Sequence, residues 1–449
     1  MIPPKPPARP DKVSVWQYLK LFRRDILSAQ PERLYGAWMA EYRTALFHSV
    51  LLNQPDLIHE VLKARPEDFP KSDRIGEGLR PLLGDAVFLT NGEQWLQQRR
   101  LIDPAFESGR LRDTFPAIYA AGEAAVARLQ TRDSAVEIEA ETSYAAADVI
   151  FRTLFSIPIE TKIAADVFEQ FRAYQRAQPL LNLGALARLP RWVPRLIPPR
   201  ARRNAQAIRG LISTLTAERM RQIEQGSAPD DLATKIMTAT DPKTGAKFET
   251  GEMIDQVAIF FLAGHETSAS ALAWALYLLA THPDWQTRVA EEAEGLSDDF
   301  SSISTLKLTR DVFREALRLY PPVPMMVREN TKPETFRKRS FKPGRLMIIS
   351  PWHLHRHARL WDNPDGFDPT RWQSENGKSC MRDAFIPFSS GRRVCPGAGF
   401  AMIEGPVLLA QLIRAFRFEP VDNTQPIPVA HLTVRSQNGI FLKVEPRFT

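Results

Sequence analysis

Cysteine is scarce in this sequence. The 449 residues contain only two cysteines, Cys380 and Cys395, which excludes the disulfide framework that is typical of small secreted domains. Residues 1–12 are polar and rich in proline, and they lack the apolar core of a signal peptide. We therefore expect a cytoplasmic protein.

Long hydrophobic runs are also missing. A membrane-spanning helix needs about 20 predominantly apolar residues, and the nearest candidate, 254–280, carries Asp255, His265 and Glu266. No transmembrane segment is therefore predicted. The sequence also lacks linkers rich in glycine and serine, low-complexity blocks and internal repeats. We therefore expect a single domain over residues 1–449.

Acidic residues are outnumbered by basic ones, 52 against 59, which gives a net charge of +7. No zinc-finger, helix-turn-helix or RNP pattern accompanies the basic residues, so a nucleic-acid partner is not expected. An acidic protein partner fits this charge. The densest basic run, 188–203, could touch a membrane surface, but we favour a proline-broken loop between helices.

Helical spacing of apolar residues is the dominant pattern. Helices are predicted at 200–225, 251–281 and 308–319, and the region 110–178 is expected to be largely helical. The longest, 251–281, ends where proline follows His282 and the helix cannot continue. Alternation in 323–352 predicts strands, and 431–447 predicts a hairpin with an Asn-Gly turn. The expected fold class is mainly α with small β-sheets (α+β).

Cys395 stands in the segment "FSSGRRVCPG", 388–397. Apolar residues at helical spacing follow it, so we expect the thiol near a helix N-terminus, which lowers the pKa of a cysteine and stabilises the thiolate. Gly391 and Gly397 permit close approach to a flat ligand, and Arg393 suits a carboxylate on it. A thiolate ligand promotes O–O cleavage in haem enzymes. The alternative is a structural cysteine beside a glycine turn.

This segment resembles the haem-binding loop of the cytochrome P-450 family, F-x-x-G-x-R-x-C-x-G, at every defined position. The resemblance implies the P-450 fold, with heme b between the long central helix and the helix after the cysteine. It implies that Cys395 is the axial ligand of the iron and that Arg393 binds a haem propionate. Further haem contacts are expected from Pro387, Phe388, Pro396 and Gly397. Cys380 lies outside the motif and is expected to be structural.

The segment "AGHET", 263–267, lies in the middle of the longest predicted helix and resembles the family's oxygen-activation motif, A/G-G-x-D/E-T. Ala263 and Gly264 are small, so a flat cofactor and dioxygen can approach the helix. Glu266 can relay protons, and Thr267 can hydrogen-bond the distal oxygen or hold a water. We expect Glu266 and Thr267 to be catalytic. The alternative is an ordinary polar helix in which the threonine bonds back to a carbonyl.

Three further segments agree with this resemblance. "WLQQR" is similar to the W-x-x-x-R of the propionate-contacting helix, and Trp95 and Arg99 lie one turn apart on one face. Arg328 stands where the family often has another propionate-binding basic residue. "EALR" and "FDPTRW" are similar to the segments that supply a buried structural triad, which here consists of Glu315, Arg318 and Arg371.

The "HLHRH" segment contains three alternating histidines, His353, His355 and His357. On a strand they would share a face, which could suggest a metal site. The family often has His-Arg at this place, so a structural role is the better interpretation. We do not predict zinc.

The substrate pocket is predicted to be apolar. Its expected members come from the long helix, the loop before Trp95, the segment after a proline pair and the C-terminal hairpin. These residues are Phe88, Ile259, Leu262, Ala263, Val323, Met325, Met326 and Leu432, with His431 beside the last. An apolar lining favours a lipophilic substrate, although core packing is the alternative for each residue.

The resemblance implies a soluble, bacterial-type monooxygenase that inserts one atom of O2 into a C–H or C=C bond of a lipophilic small molecule. Electrons would come from NAD(P)H through a separate ferredoxin or flavodoxin-type donor and its reductase. The donor would dock near Lys378, Arg382 and Arg392, and the enzyme would be a monomer. Two alternatives stay open. A peroxide-driven peroxygenase would usually lack the acid–alcohol pair, and a non-catalytic haem-thiolate binding protein would not need it.

Overall fold

Helices make up most of the fold. The computed structural model describes residues 2–43, 48–132, 135–177, 198–422, 424–430 and 432–447. His431 and residues 188–197 of the basic run lie outside these ranges. The described α-helices are α1 Val15–Arg24, α2 Pro55–His59, α3 Asp73–Gly76, α4 Arg80–Leu83, α5 Gly92–Ile102, α6 Ser108–Gln130, α7 Ile138–Phe155, α8 Lys162–Ala177, α9 Pro199–Glu224, α10 Leu232–Thr238, α11 Thr250–Ala280, α12 Pro283–Ala293, α13 Lys307–Leu319, α14 Pro351–Leu354, α15 Glu375–Asp383 and α16 Ala398–Ala415.

The strands in the described ranges are short and form four small sheets. They are β1 Met39–Arg43, β2 His48–Leu52, β3 Val136–Glu137, β4 Met326–Glu329, β5 Glu334–Phe336, β6 Arg339–Phe341, β7 Leu346–Ile349, β8 Phe416–Pro420, β9 Pro428–Ala430, β10 Val434–Ser436 and β11 Phe441–Pro446. The largest sheet has the order β1-β2-β7-β4. Because β2 pairs with β7 in parallel, the start of the chain is joined to a segment nearly 300 residues later. This is the expected α+β arrangement.

The long central helix α11 organises the core. It starts with a capping box in which Glu249 and Glu252 exchange backbone and side-chain bonds, and it ends shortly before Pro283, as predicted. Helices α7, α9, α13 and α16 pack around it. Most residues of α11 are buried, and most of the buried ones are apolar.

Helix α16 begins directly after the cysteine loop. It packs against α6, α11, α12 and α13, which carries the loop into the core. Within the described ranges it alone is long and apolar enough to cross a membrane by length and composition, but 61% of it is buried inside the fold. Core helices commonly pass the same test.

The predicted C-terminal hairpin is wrong. Strand β10 pairs with the preceding β9, whereas β11 pairs with β8 and β3 in a different sheet. The Asn-Gly turn exists, since Gly439 has a φ of 77°. However, the Asn438 side chain binds back to Ile427 N and Gln425 O, which ties the turn to the earlier segment. The turn therefore passes the chain from one sheet to the next.

The three alternating histidines lie in and just after helix α14, not on a strand, and all are buried. Burial lowers the pKa of His353 and of His355 to about 3 and that of His357 to about 4. His355 Nε2 accepts a hydrogen bond from the backbone of Ile386. No group of three His, Cys, Asp or Glu that could hold a metal ion occurs in the described ranges, so the structural interpretation fits.

Candidate active site

The cysteine loop is closed by its own backbone. Cys395 N donates to Phe388 O at 2.9 Å, and Val394 N donates to Gly391 O at 3.1 Å. Gly391 has a φ of 71°, and a Cβ there would lie 2.2 Å from Leu62 O. Only glycine meets both requirements. The loop therefore presents Cys395 in a fixed position, with α16 starting three residues later.

The Cys395 thiol lies in a recess. The residue is exposed by surface area, yet burial raises the pKa of the thiol, while the Gly397 N–H and Arg99 act in the opposite direction. A group that is accessible and also crowded by protein lies at the bottom of a concave site. The helix terminus was expected to lower the pKa of this thiol. For the free thiol the net shift is upward, because desolvation outweighs the groups that lower the pKa.

One face of α11 is accessible. From Asp255 to Ala280 only Phe260, Ala263, Gly264 and Thr267 are not buried, and their spacing places them on one side of the helix. This accessible face contains most of the predicted oxygen-activation residues.

Two predicted pocket residues lie elsewhere on α11. Ile259 and Leu262 are only 5% and 3% exposed, within the main core. At about 100° per residue, Leu262 is about 140° from Thr267 around the helix and Ile259 about 80°. Phe260 is about 20° from Thr267 and is therefore the residue that the spacing should have selected. Ile259 and Leu262 are corrected to core positions.

Gly264 has a packing role that the sequence did not indicate. A Cβ at this position would lie 2.4 Å from Ile150 Cδ1 on α7. The small residue therefore allows α7 and α11 to pack closely. This contact is additional to the expectation that a small residue here lets a flat cofactor approach, which stays a prediction.

Thr267 and Glu266 have different surroundings. Thr267 Oγ1 donates to Ala263 O at 2.7 Å, the back-bond that polar helix residues often make, and it lies on the accessible face. Glu266 is 3% exposed. Its carboxylate accepts hydrogen bonds from Thr433 at 2.8 Å and from Arg435 at 2.5 Å. The sequence did not reveal these two partners of the acid.

Four basic side chains form a cluster beside the cysteine loop, which we call the cation cluster. Its members are Lys71, Arg99, Arg328 and Arg393. Three of them lie over the Trp95 ring, with Arg393 at 5.2 Å, Arg99 at 5.7 Å and Lys71 at 5.8 Å from its centroid. The fourth member, Arg328, lies next to Lys71 because the backbones of these two residues form a β-bridge. Trp95, Arg99, Arg328 and Arg393 were predicted from the resemblance, whereas Lys71 was missed because a lone lysine carries no signal.

The cation cluster is short of anions. Burial lowers the pKa of Lys71 to about 6, and Arg328, Arg393 and Arg99 lower it further. Burial and then Arg393 lower the pKa of Arg328 to about 10. The buried Nε atoms of Arg328 and Arg393 have no hydrogen-bond partner.

Two acids pair with the cluster within the described ranges. Asp103 lies 2.6 Å from Arg99, and Glu67 lies 3.6 Å from Arg393, both about half exposed. Glu67 also pairs with Arg392, at 3.3 Å, so the basic side chains here outnumber the acids that pair with them. Two propionates therefore fit the cluster in charge and in available N–H donors.

The predicted structural triad is assembled as expected. Arg318 makes two bonds to the Glu315 carboxylate, at 2.7 and 2.9 Å, and Arg371 Nε lies 3.2 Å from the same group. All three are at most 5% exposed. The remaining N–H groups of Arg318 donate to the carbonyls of His355, Pro364 and Gly366. The triad thus fastens α13 to the segment that leads to the cysteine loop.

The other predicted pocket residues differ in exposure. Phe88 and Leu432 are 49% and 45% exposed, and Val323, Met325 and Met326 are half-buried. Single exposed apolar side chains are common on protein surfaces, so exposure alone does not identify a pocket. The pocket assignment stays a prediction.

An accessible cysteine in a recess, an accessible helix face and a basic cluster with two unpartnered guanidinium Nε atoms fit an iron porphyrin with two carboxylates. Comparison with known proteins agrees. The cytochrome P-450 family model matches residues 7–444. The chain therefore belongs to the cytochrome P-450 family.

Three relatives illustrate the match. Cyclooctat-9-en-7-ol 5-monooxygenase of Streptomyces melanosporofaciens is 31% identical over 86% of this chain and 83% of the relative. Cyclooctatin synthase of the same organism is 31% identical over 84% and 83%. Taurochenodeoxycholic 6 alpha-hydroxylase of Sus scrofa is 30% identical over 88% and 81%. The chain is a P-450 monooxygenase, a class that uses haem iron, O2, redox partners and lipophilic substrates.

A buried carboxyl group links the two haem-flanking helices. Glu404 on α16 is 1% exposed, and it accepts a hydrogen bond from Ser268 on α11 at 2.5 Å. Its other oxygen has no partner. Burial raises the pKa of Glu404 to about 8 from 4.5. The group is therefore mostly protonated at neutral pH, and its partner Ser268 is next to Thr267 in sequence.

Replacing Glu404 with a residue that does not ionise is expected to stabilise the protein increasingly as the pH rises. The folded-state pKa of Glu404 is raised, so its contribution is full below the unfolded pKa of 4.5 and is lost as the pH rises towards 8. One pKa unit corresponds to about 1.4 kcal/mol, so the loss by pH 8 is a few kcal/mol. Glu404→Gln does not ionise. We therefore expect its apparent Tm relative to the parent holoenzyme to rise steadily from pH 5 to pH 8.

Thermal unfolding of both holoenzymes across this pH range tests the expectation. The buried amide adds a penalty that is the same at every pH, so only the slope of the difference matters. A difference that stays constant from pH 5 to pH 8 would contradict a protonated Glu404.

Proposed function

We propose that Cys395 is the axial thiolate ligand of heme b and that the cation cluster with Trp95 holds the two propionates. The observation that carries this is the pairing of an accessible thiol in a rigid loop with a basic cluster in which two buried guanidinium Nε atoms have no hydrogen-bond partner. Pro387, Phe388, Pro396 and Gly397 of the loop would contact the porphyrin. Haem with a thiolate ligand supplies the activation of O2 for oxygen insertion.

The accessible face of α11 would lie on the other side of the porphyrin. Ala263 presents only a methyl group there, which leaves room for O2 and substrate. Thr267 Oγ1 donates to Ala263 O. The lone pairs of the hydroxyl oxygen therefore remain free to accept a hydrogen bond from a proton donor in the recess. We propose that Glu266 and Thr267 together supply the protons that the reduction of O2 consumes.

The proposed reaction is hydroxylation or epoxidation of a lipophilic small molecule. One oxygen atom enters a C–H or C=C bond, and the other leaves as water, with two electrons and two protons consumed. Phe88, Phe260, Ala263 and Leu432 supply an apolar surface for such a substrate. Relatives named for the oxidation of cyclooctat-9-en-7-ol and of a taurochenodeoxycholic substrate support this class.

The electrons are proposed to come from NAD(P)H through a separate ferredoxin or flavodoxin-type donor and its reductase. Basic side chains near the cysteine loop suit an acidic donor. Arg382 is exposed, and Lys378 and Arg392 make only exposed ion pairs, with Glu375 and Glu67. Exposed pairs are weak, so both cations remain able to bind a partner. We also propose a cytoplasmic monomer, from the sequence expectations.

One experiment with an internal control tests this proposal. A lipophilic compound is first selected by its shift of the haem spin state. Its oxidation is then measured at rising salt with NAD(P)H, reductase and an acidic ferredoxin, and in parallel with hydrogen peroxide. We expect the ferredoxin-driven rate to exceed the peroxide-driven rate at low salt and to fall about tenfold as salt screens docking.

The peroxide arm controls for salt effects on the site itself, because it needs no docking partner and should change little. Peroxide-supported turnover above the ferredoxin-driven rate would instead favour the peroxygenase alternative. A ferredoxin-driven rate that is independent of salt would count against the basic docking surface.

A further inference from the structure

Glu266 is held on the side of α11 that faces away from the recess. Consecutive helix residues are about 100° apart, so the acid and Thr267 point to different sides. Glu266 is 3% exposed, and both of its oxygens are occupied. Oε2 accepts from Thr433 Oγ1 at 2.8 Å, and Oε1 accepts from Arg435 Nη2 at 2.5 Å. The position of the acid is therefore set by a segment more than 160 residues later.

The neighbouring histidine does not share this task. His265 Nδ1 donates to Phe261 O at 2.6 Å, and burial lowers the pKa of the ring, so Nε2 carries no proton. Nε2 lies 3.9 Å from Glu266 Oε1 and has no hydrogen to donate to it. Arg435 and Thr433 are therefore the groups that bind the carboxylate.

The segment that carries these two residues is itself well fixed. Val434 N donates to Pro322 O at 2.9 Å, and Ser270 Oγ donates to Val434 O at 2.5 Å. Ser436 N donates to Glu139 Oε1 at 2.9 Å. Arg435 lies on β10 and Thr433 directly before it, and both side chains reach Glu266. The strand therefore delivers both groups to Glu266 from an anchored position.

We propose that Thr433 and Arg435 are positioning residues for oxygen activation, which hold Glu266 in one place beside Thr267. This rests on the proposed proton role of Glu266. Without Arg435 the buried carboxylate loses its charged partner and is no longer held in this position. Proton delivery then becomes less efficient, and more of the NAD(P)H is consumed without product.

A double-mutant cycle tests this proposal. Glu266→Gln, Arg435→Gln and the double variant are compared with the parent for product formed per NAD(P)H and for the solvent deuterium isotope effect. The substrate-induced spin shift is measured in each to show that haem and substrate still bind. We expect each single variant to lower product per NAD(P)H about fivefold or more. We expect Arg435→Gln to have no further effect in the Glu266→Gln background, because residues that act through one another are not additive.

Three further variants separate positioning from folding. Arg435→Lys keeps the charge and should recover most of the product yield. Thr433→Val removes only the weaker contact and should give a smaller loss in the same direction, which keeps the test valid if Arg435→Gln folds poorly. Arg417→Gln breaks a solvent-exposed arginine–glutamate pair at 2.8 Å on β8 and should change nothing.

The outcomes distinguish two failures. If Glu266→Gln leaves product yield and the isotope effect unchanged, the proposed proton role of the acid is wrong. If Glu266→Gln lowers the yield but Arg435→Gln and Thr433→Val do not, only the positioning role is overturned. Independent, multiplying effects of the two substitutions would also overturn it.

Discussion

Cys395→Ser is expected to abolish monooxygenation. A serine hydroxyl stays neutral at physiological pH and cannot donate charge to iron as a thiolate does, so product formation with NAD(P)H and redox partners should fall by at least about 100-fold. The loop should survive, because its closing bonds are made by backbone groups. Product formation and haem content of the purified variant measure this.

The second cysteine provides the matched control. Cys380 is buried, its thiol donates to Leu360 O, and burial raises its pKa to about 11. A serine can make the same hydrogen bond, so Cys380→Ser should retain parental activity. Equal loss of activity in both variants would show a general effect of cysteine replacement, and full activity in Cys395→Ser would refute the ligand assignment.

Thr267→Ala is expected to uncouple electron consumption from product formation. In this variant the accessible face of α11 has a methyl group in place of the hydroxyl. Protons therefore reach reduced oxygen less selectively. NAD(P)H oxidation should continue, while product per NAD(P)H falls about tenfold or more and hydrogen peroxide accumulates. Thr267→Ser keeps the hydroxyl and should recover most of the yield.

A second threonine controls for the loss of a helix back-bond. Thr238 Oγ1 donates to Thr234 O at 2.7 Å, which is the distance of the Thr267 back-bond, but it lies exposed on α10. Thr238→Ala should therefore leave the product yield unchanged. A parental yield in Thr267→Ala would mean that the hydroxyl serves only the helix.

The parts of the site that the sequence revealed are local. The turn glycine, the cation and the thiol of the cysteine loop all lie within ten residues of sequence. The loop can therefore be recognised without knowledge of the tertiary structure. The end of α11 follows likewise from the proline after His282. The Glu315 and Arg318 pair is separated by one helical turn and is found in the structure as predicted.

The parts that were missed depend on long-range contacts or on helix rotation. Lys71 reaches the cation cluster only because its backbone pairs with Arg328, far along the chain. Thr433 and Arg435 reach Glu266 through strand β10, which sequence reasoning had assigned to the wrong pairing. The sequence analysis selected Leu262 and overlooked Phe260. The two residues are two positions apart on α11, and the side chain of Leu262 points into the core.

The central claim is that Cys395 binds haem iron as a thiolate, and the carbon-monoxide difference spectrum of the reduced protein tests it most directly. The parent protein is expected to show the Soret band of a thiolate-ligated haem, and Cys395→Ser is expected to lose that band while Cys380→Ser keeps it. A parent spectrum without the thiolate band, or a Cys395→Ser spectrum that retains it, would contradict the account.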